Sequence, residues 1–256
     1  MNVMWVSANM LGLELLKECR HFFGDNLTIL TLSSQSKTVM YDSVEASAWS
    51  NFNAPVIEVD KTAHSVEIIK QCEPDVVIMC GWRQIITREL LDIPKFGWIG
   101  FHPTLLPKGR GPAPIINSIL QGWKQSGLSM FYLTEGLDDG DIIAQESFMI
   151  EEDDYAMDVY NKVIKAGKKI VSKYVPRILD NTVSAISQNN SHATFFNKPK
   201  LKDNEINLLN DSSETIYKKI RALSHPYKGA YIKVGADKLI IWKASRVHRE
   251  RNTQGI

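Results

Sequence analysis

DVVIMCGWRQIITRELLDIPKFGWIGFH, residues 75–102, decides the fold class. Asp75–Cys80 is apolar without alternation, the pattern of a strand buried on both faces of a parallel sheet. Gln84–Leu91 reads as a short helix and Trp98–Phe101 as the next strand. The same rhythm continues upstream. Asn2–Val6, Leu27–Leu32 and Pro55–Val59 read as strands, and Leu11–Phe23 and His64–Gln71 carry helical spacing. Strands alternating with helices predict an α/β domain of Rossmann-like, doubly wound type with a mainly parallel sheet.

Downstream the rhythm changes. Leu128–Leu133 and Ile142–Ile150 are strand-like and flank the turn-rich Thr134–Asp141, so they predict a hairpin-like unit with a long acidic connection. Ala156–Leu179 has helical spacing, residues 181–213 are polar, Glu214–Leu223 is a short helix, and Ala230–Val247 predicts a hairpin about Gly235. The expected division is a domain over 1–180, a linker or extended excursion over 181–213, and a small C-terminal helix/β-hairpin unit over 214–256.

Composition narrows the function classes. With 256 residues, 44% hydrophobic and 23% charged, the chain can bury a sizeable core. Thirty basic residues against 29 acidic ones leave a net charge of +1, which is no electrostatic footprint for nucleic acid. MNVMWVSANM lacks the charged n-region and apolar stretch of a secretory signal, and no run reaches the ~20 apolar residues of a membrane helix. Cys19, Cys72 and Cys80 form no CxxC and do not cluster with histidines, so neither a disulfide framework nor a metal site is expected. These features predict a cytoplasmic protein. Ser7-Ala8-Asn9-Met10 follows the first strand without a GxGxxG or Walker A pattern, which disfavours dinucleotide or P-loop chemistry.

Two segments carry the chemistry. FHPTLLPKGRGPAP (Phe101–Pro114) puts His102 where a strand stops, followed by the rigid Pro103. Ligands of open α/β sheets bind outside the carboxyl ends of the strands. A lone histidine there also fits a plain surface or capping role. EGLDDGD (Glu135–Asp141) lies between two apolar strands and reads either as a solvated acidic turn or as a carboxylate loop facing the histidine; it lacks EF-hand spacing. In the second reading a carboxylate orients the imidazole, stabilises its charged form and supports proton transfer from an attacking amine.

HPTLLPKGRGPAP followed by EGLDDGD resembles the paired signature of the folate-dependent formyltransferases, and the chain is most similar to their sugar N-formyltransferase members. The resemblance extends to residues 75–102 and to IRALSHPYKGAY with KLIIWKASRV, which is similar to the family's "RA…P[YW]PGA…W" stretch; it is weaker over 33–70 and 181–213. It implies a formyltransferase domain of Rossmann-like fold, with His102 as the catalytic histidine and Asp138 as the catalytic aspartate. Gly100 stands at the position of the family's Asn, which donates a hydrogen bond to the oxygen that develops charge; losing one such donor typically costs about 2.7–4 kcal/mol. The resemblance also implies a folate pocket in which backbone groups of Gln84, Ile85 and Ile86 read the ring. Leu133, Thr134, Glu135, Gly136 and Leu137 would form its other wall. Phe101, Thr104 and Arg110 are substrate-side candidates, with Arg110 equally suited to holding the loop.

The implied activity is transfer of a formyl group from 10-formyltetrahydrofolate, with no metal, to an amine. The short unit from Arg221 onward and the near-zero charge favour a nucleotide-linked amino sugar over tRNA, with no nucleic acid or membrane partner. Two alternatives stand beside it: a 10-formyltetrahydrofolate hydrolase, motivated by Gly100, and a non-catalytic folate- or nucleotide-binding module. The apolar load of 230–247 and the resemblance together predict a homodimer.

Overall fold

The computed structural model describes residues 1–198 and 200–247; the end of the expected C-terminal unit, 248–256, lies outside the described residues. Seven strands form one sheet: β1 (Val3–Ser7), β2 (Leu27–Leu32), β3 (Val56–Val59), β4 (Val76–Cys80), β5 (Trp98–His102), β6 (Gln125–Tyr132) and β7 (Ile142–Met149), in the order β3-β2-β1-β4-β5-β6-β7. The first five run parallel, and β6 and β7 are antiparallel additions. The expected mainly parallel, Rossmann-like sheet is present.

Both faces of the sheet are covered, which is why its strands read as unbroken apolar runs. Side chains alternate between two cores. Trp5, Ile29, Ile78, Ile99 and Met130 face the larger one, shared with helices α1 (Met10–Cys19) and α5 (Ala156–Leu179). Met4, Val6, Leu30, Val77 and Trp98 face the smaller one, with Ile69 of α2 (Val66–Gln71) and Leu90 of α3 (Arg88–Leu91). The Trp98 indole is buried there with its Nε1–H donating to Leu90 O at 2.7 Å.

The helix expected over Gln84–Leu91 is shorter. Thr87 stands as its N-cap residue, and only Arg88–Leu91 is helical. The Gln84 side chain is drawn sideways. Its Oε1 accepts from Thr62 N at 2.6 Å and Thr62 Oγ1 at 2.7 Å, and its Nε2 donates to Thr38 Oγ1 and Asp60 O at 2.8 Å each. These bonds hold the segment after β4 away from helical geometry. A helix not evident in the sequence, α4 (Pro114–Leu120), begins on a proline in its first turn.

Residues 181–213 form an excursion that returns across the domain. Ile186 exchanges backbone hydrogen bonds with Ile142 at 2.8 and 2.9 Å, Phe196 is buried with its ring centroid 5.2 Å from that of Trp123, and Ile206 N donates to Tyr231 O at 2.8 Å. Helix α6 (Ser213–Leu223) is capped by Ser212 and leads into the hairpin β8 (Ala230–Val234) and β9 (Asp237–Ile241). Ala230 is buried, whereas Val234, Leu239 and Ile240 are half exposed, so much of the hairpin's apolar load faces outward.

Candidate active site

The chain runs β1 to β3 toward one edge of the sheet, then crosses back so that β4 pairs with β1. The strand order therefore reverses between β1 and β4, the position at which open α/β sheets form a ligand crevice outside the carboxyl ends of their strands. Register aligns the ends: Ser7 lies beside Cys80, and Met79 beside Gly100. His102 ends β5 on that same edge.

His102 is nearly buried, and two contacts define its ring. Nε2 lies 2.7 Å from Gly109 O, an acceptor, so Nε2 carries the hydrogen and donates. In the neutral ring Nδ1 then holds a lone pair. It faces Asp138 Oδ2 at 3.6 Å, too long for a hydrogen bond. A proton arriving on Nδ1 turns that gap into an attractive ion pair. The arrangement sets an imidazole nitrogen beside a carboxylate.

Asp138 is fixed from several directions. Its Oδ2 accepts the Gly111 N–H at 2.8 Å. Its backbone is left-handed, with φ +50°, a conformation that aspartate tolerates better than most residues. Gly111 has φ +101°, and a Cβ there would lie 3.0 Å from Phe196 O, so this donor has to come from glycine.

The excursion holds both loops, which its polar sequence did not reveal. Gln188 Nε2 donates to Asp138 O at 2.9 Å and Gly140 O at 2.7 Å, while its Oε1 accepts from Arg110 Nε at 3.1 Å and Nη2 at 2.7 Å. Arg110 Nη2 also reaches Asn190 Oδ1 at 2.7 Å. Thr194 Oγ1 accepts from Gly109 N at 2.8 Å, and Thr194 O from Arg110 N at 2.9 Å. Gln188 thus ties the histidine-side loop to the aspartate-side loop. A glutamine whose donor and acceptor ends serve different loops leaves no periodic mark in a sequence.

The three substrate-side candidates are all buried. Phe101 packs in the larger core, Thr104 is fully enclosed, and Arg110 has its guanidinium committed to Gln188 and Asn190. Arg110 thus bonds the excursion in this structure, and Phe101 and Thr104 expose little surface. Gly100 is also buried; a Cβ there would come within 2.6 Å of Leu133 Cδ2, so the Leu133 side chain fills the space a larger residue would need.

Around the proposed folate pocket, Trp82, Ile86 and Leu133 are half-buried and pack on the smaller core, while Ile85 and Leu137 expose their side chains. Among the described residues, the backbone N–H and C=O groups of Gln84, Ile85 and Ile86 meet no protein partner. An apolar wall beside unused backbone donors and acceptors fits a flat heteroaromatic ring with polar edges. On the other side Gly136 N donates to Thr134 Oγ1 at 3.1 Å, Thr134 bonds Asp139, and Glu135 pairs with Arg88 at 3.3 Å. Among the described residues no group of acidic, histidine and cysteine side chains could hold a metal ion. No helix there is long and apolar enough to cross a membrane.

Comparison with known proteins places these features in context. The family model described as formyl transferase matches residues 35–175, more than half of the chain, and that for the formyl transferase C-terminal domain matches 198–255. Methionyl-tRNA formyltransferase of Bacillus subtilis is 36% identical over 196 residues, covering 75% of this chain and 61% of that protein; the chain thus spans less than two thirds of the relative's length. The fold matches a sugar N-formyltransferase from Shewanella with a TM-score of 0.76 at 22% identity, covering 97% of this chain and 99% of that one. It also matches an N-formyltransferase from Helicobacter canadensis, solved with folinic acid and dTDP-3-aminofucose, with a TM-score of 0.68 at 22% identity, covering 87% and 80%.

Proposed function

The chain belongs to the formyl transferase family, and from that premise we propose that it transfers a formyl group from 10-formyltetrahydrofolate to the amine of a nucleotide-linked amino sugar. The observation that carries the proposal is the ring of His102, with Nε2–H locked on Gly109 O and Nδ1 open beside Asp138. When bound, the folate supplies the formyl carbon. The chain's own groups do the rest. Nδ1 takes the proton that the attacking amine must lose, Asp138 stabilises the resulting imidazolium, and the same nitrogen returns the proton to the departing amine. Leu133, Ile86 and Trp82 exclude water on one side, and the unused backbone groups of Gln84–Ile86 hold the ring edge.

The end-to-end fold match to a sugar N-formyltransferase and the match to a neighbour solved with a folate and a dTDP-amino sugar support the acceptor class. The crevice beside His102 sits at the strand-order reversal, where nucleotides bind open α/β sheets. Pairing of two copies through the outward face of β8 and β9 belongs to the same reading. The test is a panel assay. Purified protein with 10-formyltetrahydrofolate is offered dTDP- and UDP-linked 3- and 4-amino sugars and, separately, methionyl-tRNA. Formylation of a nucleotide sugar at a kcat/KM well above that for the tRNA is expected, and the reverse order would overturn the assignment.

A further inference from the structure

At the β1/β4 crevice three loops bring two cations onto one aromatic ring. Arg83, three residues past the end of β4, has its guanidinium carbon 5.2 Å from the centroid of Tyr41. Lys228, in the turn between α6 and β8, has its Nζ 5.6 Å from the same centroid. The Tyr227 ring meets Tyr41 edge-on at 5.9 Å and 81°. The loop that carries Tyr41 is pinned to the end of β1: Met10 N donates to Asp42 O at 2.9 Å, and Asn9 bridges Ser43. The cluster therefore sits on the edge that presents His102, at the point where strand order reverses.

The charges there do not balance locally. Asp42 is the nearby carboxylate, its side chain only 7% exposed, and its Oδ2 is taken by Tyr160 OH at 2.5 Å and Asn9 Nδ2 at 3.0 Å. It faces Arg83 at 3.7 Å, without a hydrogen bond. Arg83 Nη1 donates to Val39 O at 3.3 Å, and Nη2 is the atom that faces Asp42 Oδ1. No carboxylate pairs with Lys228 among the described residues. One carboxylate beside two cations leaves a net positive charge around the ring, which an added anion would offset. A guanidinium and an ammonium held on one ring match two linked phosphoryl groups, each cation taking one as a charge-assisted partner.

We propose that Arg83 and Lys228, spaced by Tyr41, form the subsite for the diphosphate of the acceptor. This rests on the nucleotide-sugar reading and deepens it. The anion is held at the crevice mouth by one cation from the parallel sheet and one from the C-terminal unit, so the sugar amine points toward β5 and His102. The same charge chemistry could serve the glutamate carboxylates of the folate donor, and the test separates the two.

Isothermal titration of the full chain with dTDP and UDP, with thymidine and uridine as uncharged controls and 5-formyltetrahydrofolate as the folate probe, is run on wild type, Arg83→Gln and Lys228→Gln. Thermal unfolding confirms that both variants are folded. The expected result is that the diphosphates bind wild type far better than the nucleosides do. Each variant weakens diphosphate binding about tenfold or more, and folate binding is unchanged. Rising salt erodes the wild-type advantage. Diphosphate binding equal in all three proteins, no preference for diphosphate over nucleoside, or a loss confined to folate would overturn the subsite. Formyl transfer to a nucleotide sugar with an unaltered KM in both variants would sink the subsite and leave the transfer reading standing. Diphosphate binding that needs both cations, in a protein that formylates no amine, would do the opposite.

Discussion

Replacing Gln188 with alanine severs four hydrogen bonds at once, two from Arg110 and two to the carbonyls of Asp138 and Gly140. Arg110 is 4% exposed and, among the described residues, keeps Asn190 as a side-chain hydrogen-bond partner and the Phe195 ring at 5.9 Å. A buried polar group left unsatisfied costs about 1–3 kcal/mol, more if it is charged, so a stability loss of roughly 2–4 kcal/mol is expected. The effect on rate comes through Asp138. Its left-handed backbone is held by the Gln188 bond and by Gly111 N–H on its carboxylate, and a shift of about 1 Å in a catalytic group can cost on the order of a hundredfold. Gln188→Glu separates the two effects. The new carboxylate still accepts from Arg110, with added charge, but it sets an oxygen against two carbonyl oxygens. Gln188→Glu should therefore retain more stability than Gln188→Ala and still lose kcat. Urea unfolding gives the stability, and steady-state donor consumption well below each midpoint gives kcat. If both variants keep more than about a third of wild-type kcat while folded, less than about 0.7 kcal/mol of barrier, the excursion does not position the dyad.

His102→Ala and Asp138→Asn should each fall below about a tenth of the wild-type rate, a barrier rise above roughly 1.4 kcal/mol, with unchanged folding; a steady-state assay with a formyl-folate donor checks this. Gly100→Asn should not raise the rate, because its Cβ meets Leu133 Cδ2 at 2.6 Å and the leucine must turn out of its packing at a cost of about 1–3 kcal/mol. Gly100→Asn combined with Leu133→Ala relieves that clash, so a gain in kcat appearing only in the double variant would identify the asparagine position as an unfilled donor site. Light scattering at micromolar concentration should report a dimer, and Leu239→Lys with Ile240→Lys should shift it to monomer; a wild-type monomer would contradict pairing through β8 and β9.

Much of the fold was legible because both-face burial writes itself as continuous apolar runs, as in Leu27–Leu32 and Val76–Cys80, and because α5 repeats its apolar positions with consistent spacing over its 24 residues. That the acidic loop faces His102 was legible because proline, glycine and acid crowd around these two segments where no core demands it. What the sequence concealed is bonding between distant residues. Gln84 looked like the start of a helix, yet Thr62, Thr38 and Asp60 compete for its side chain and win. Residues 181–213 looked solvated because their polar groups are those that satisfy the site loops, with Gln188 reaching Arg110 and Asp138 across long stretches of chain. The two readings of Arg110 turn on its burial and its partners Gln188 and Asn190, which lie far away in the sequence.

The central claim is amine-dependent transfer at His102, and one tube tests it. Formyl product and tetrahydrofolate are quantified together, with and without a nucleotide-linked amino sugar. Tetrahydrofolate that appears only with the amine, mole for mole with formylated sugar, is the predicted result. Donor cleavage at the same rate without the amine would make the protein a hydrolase and contradict the account.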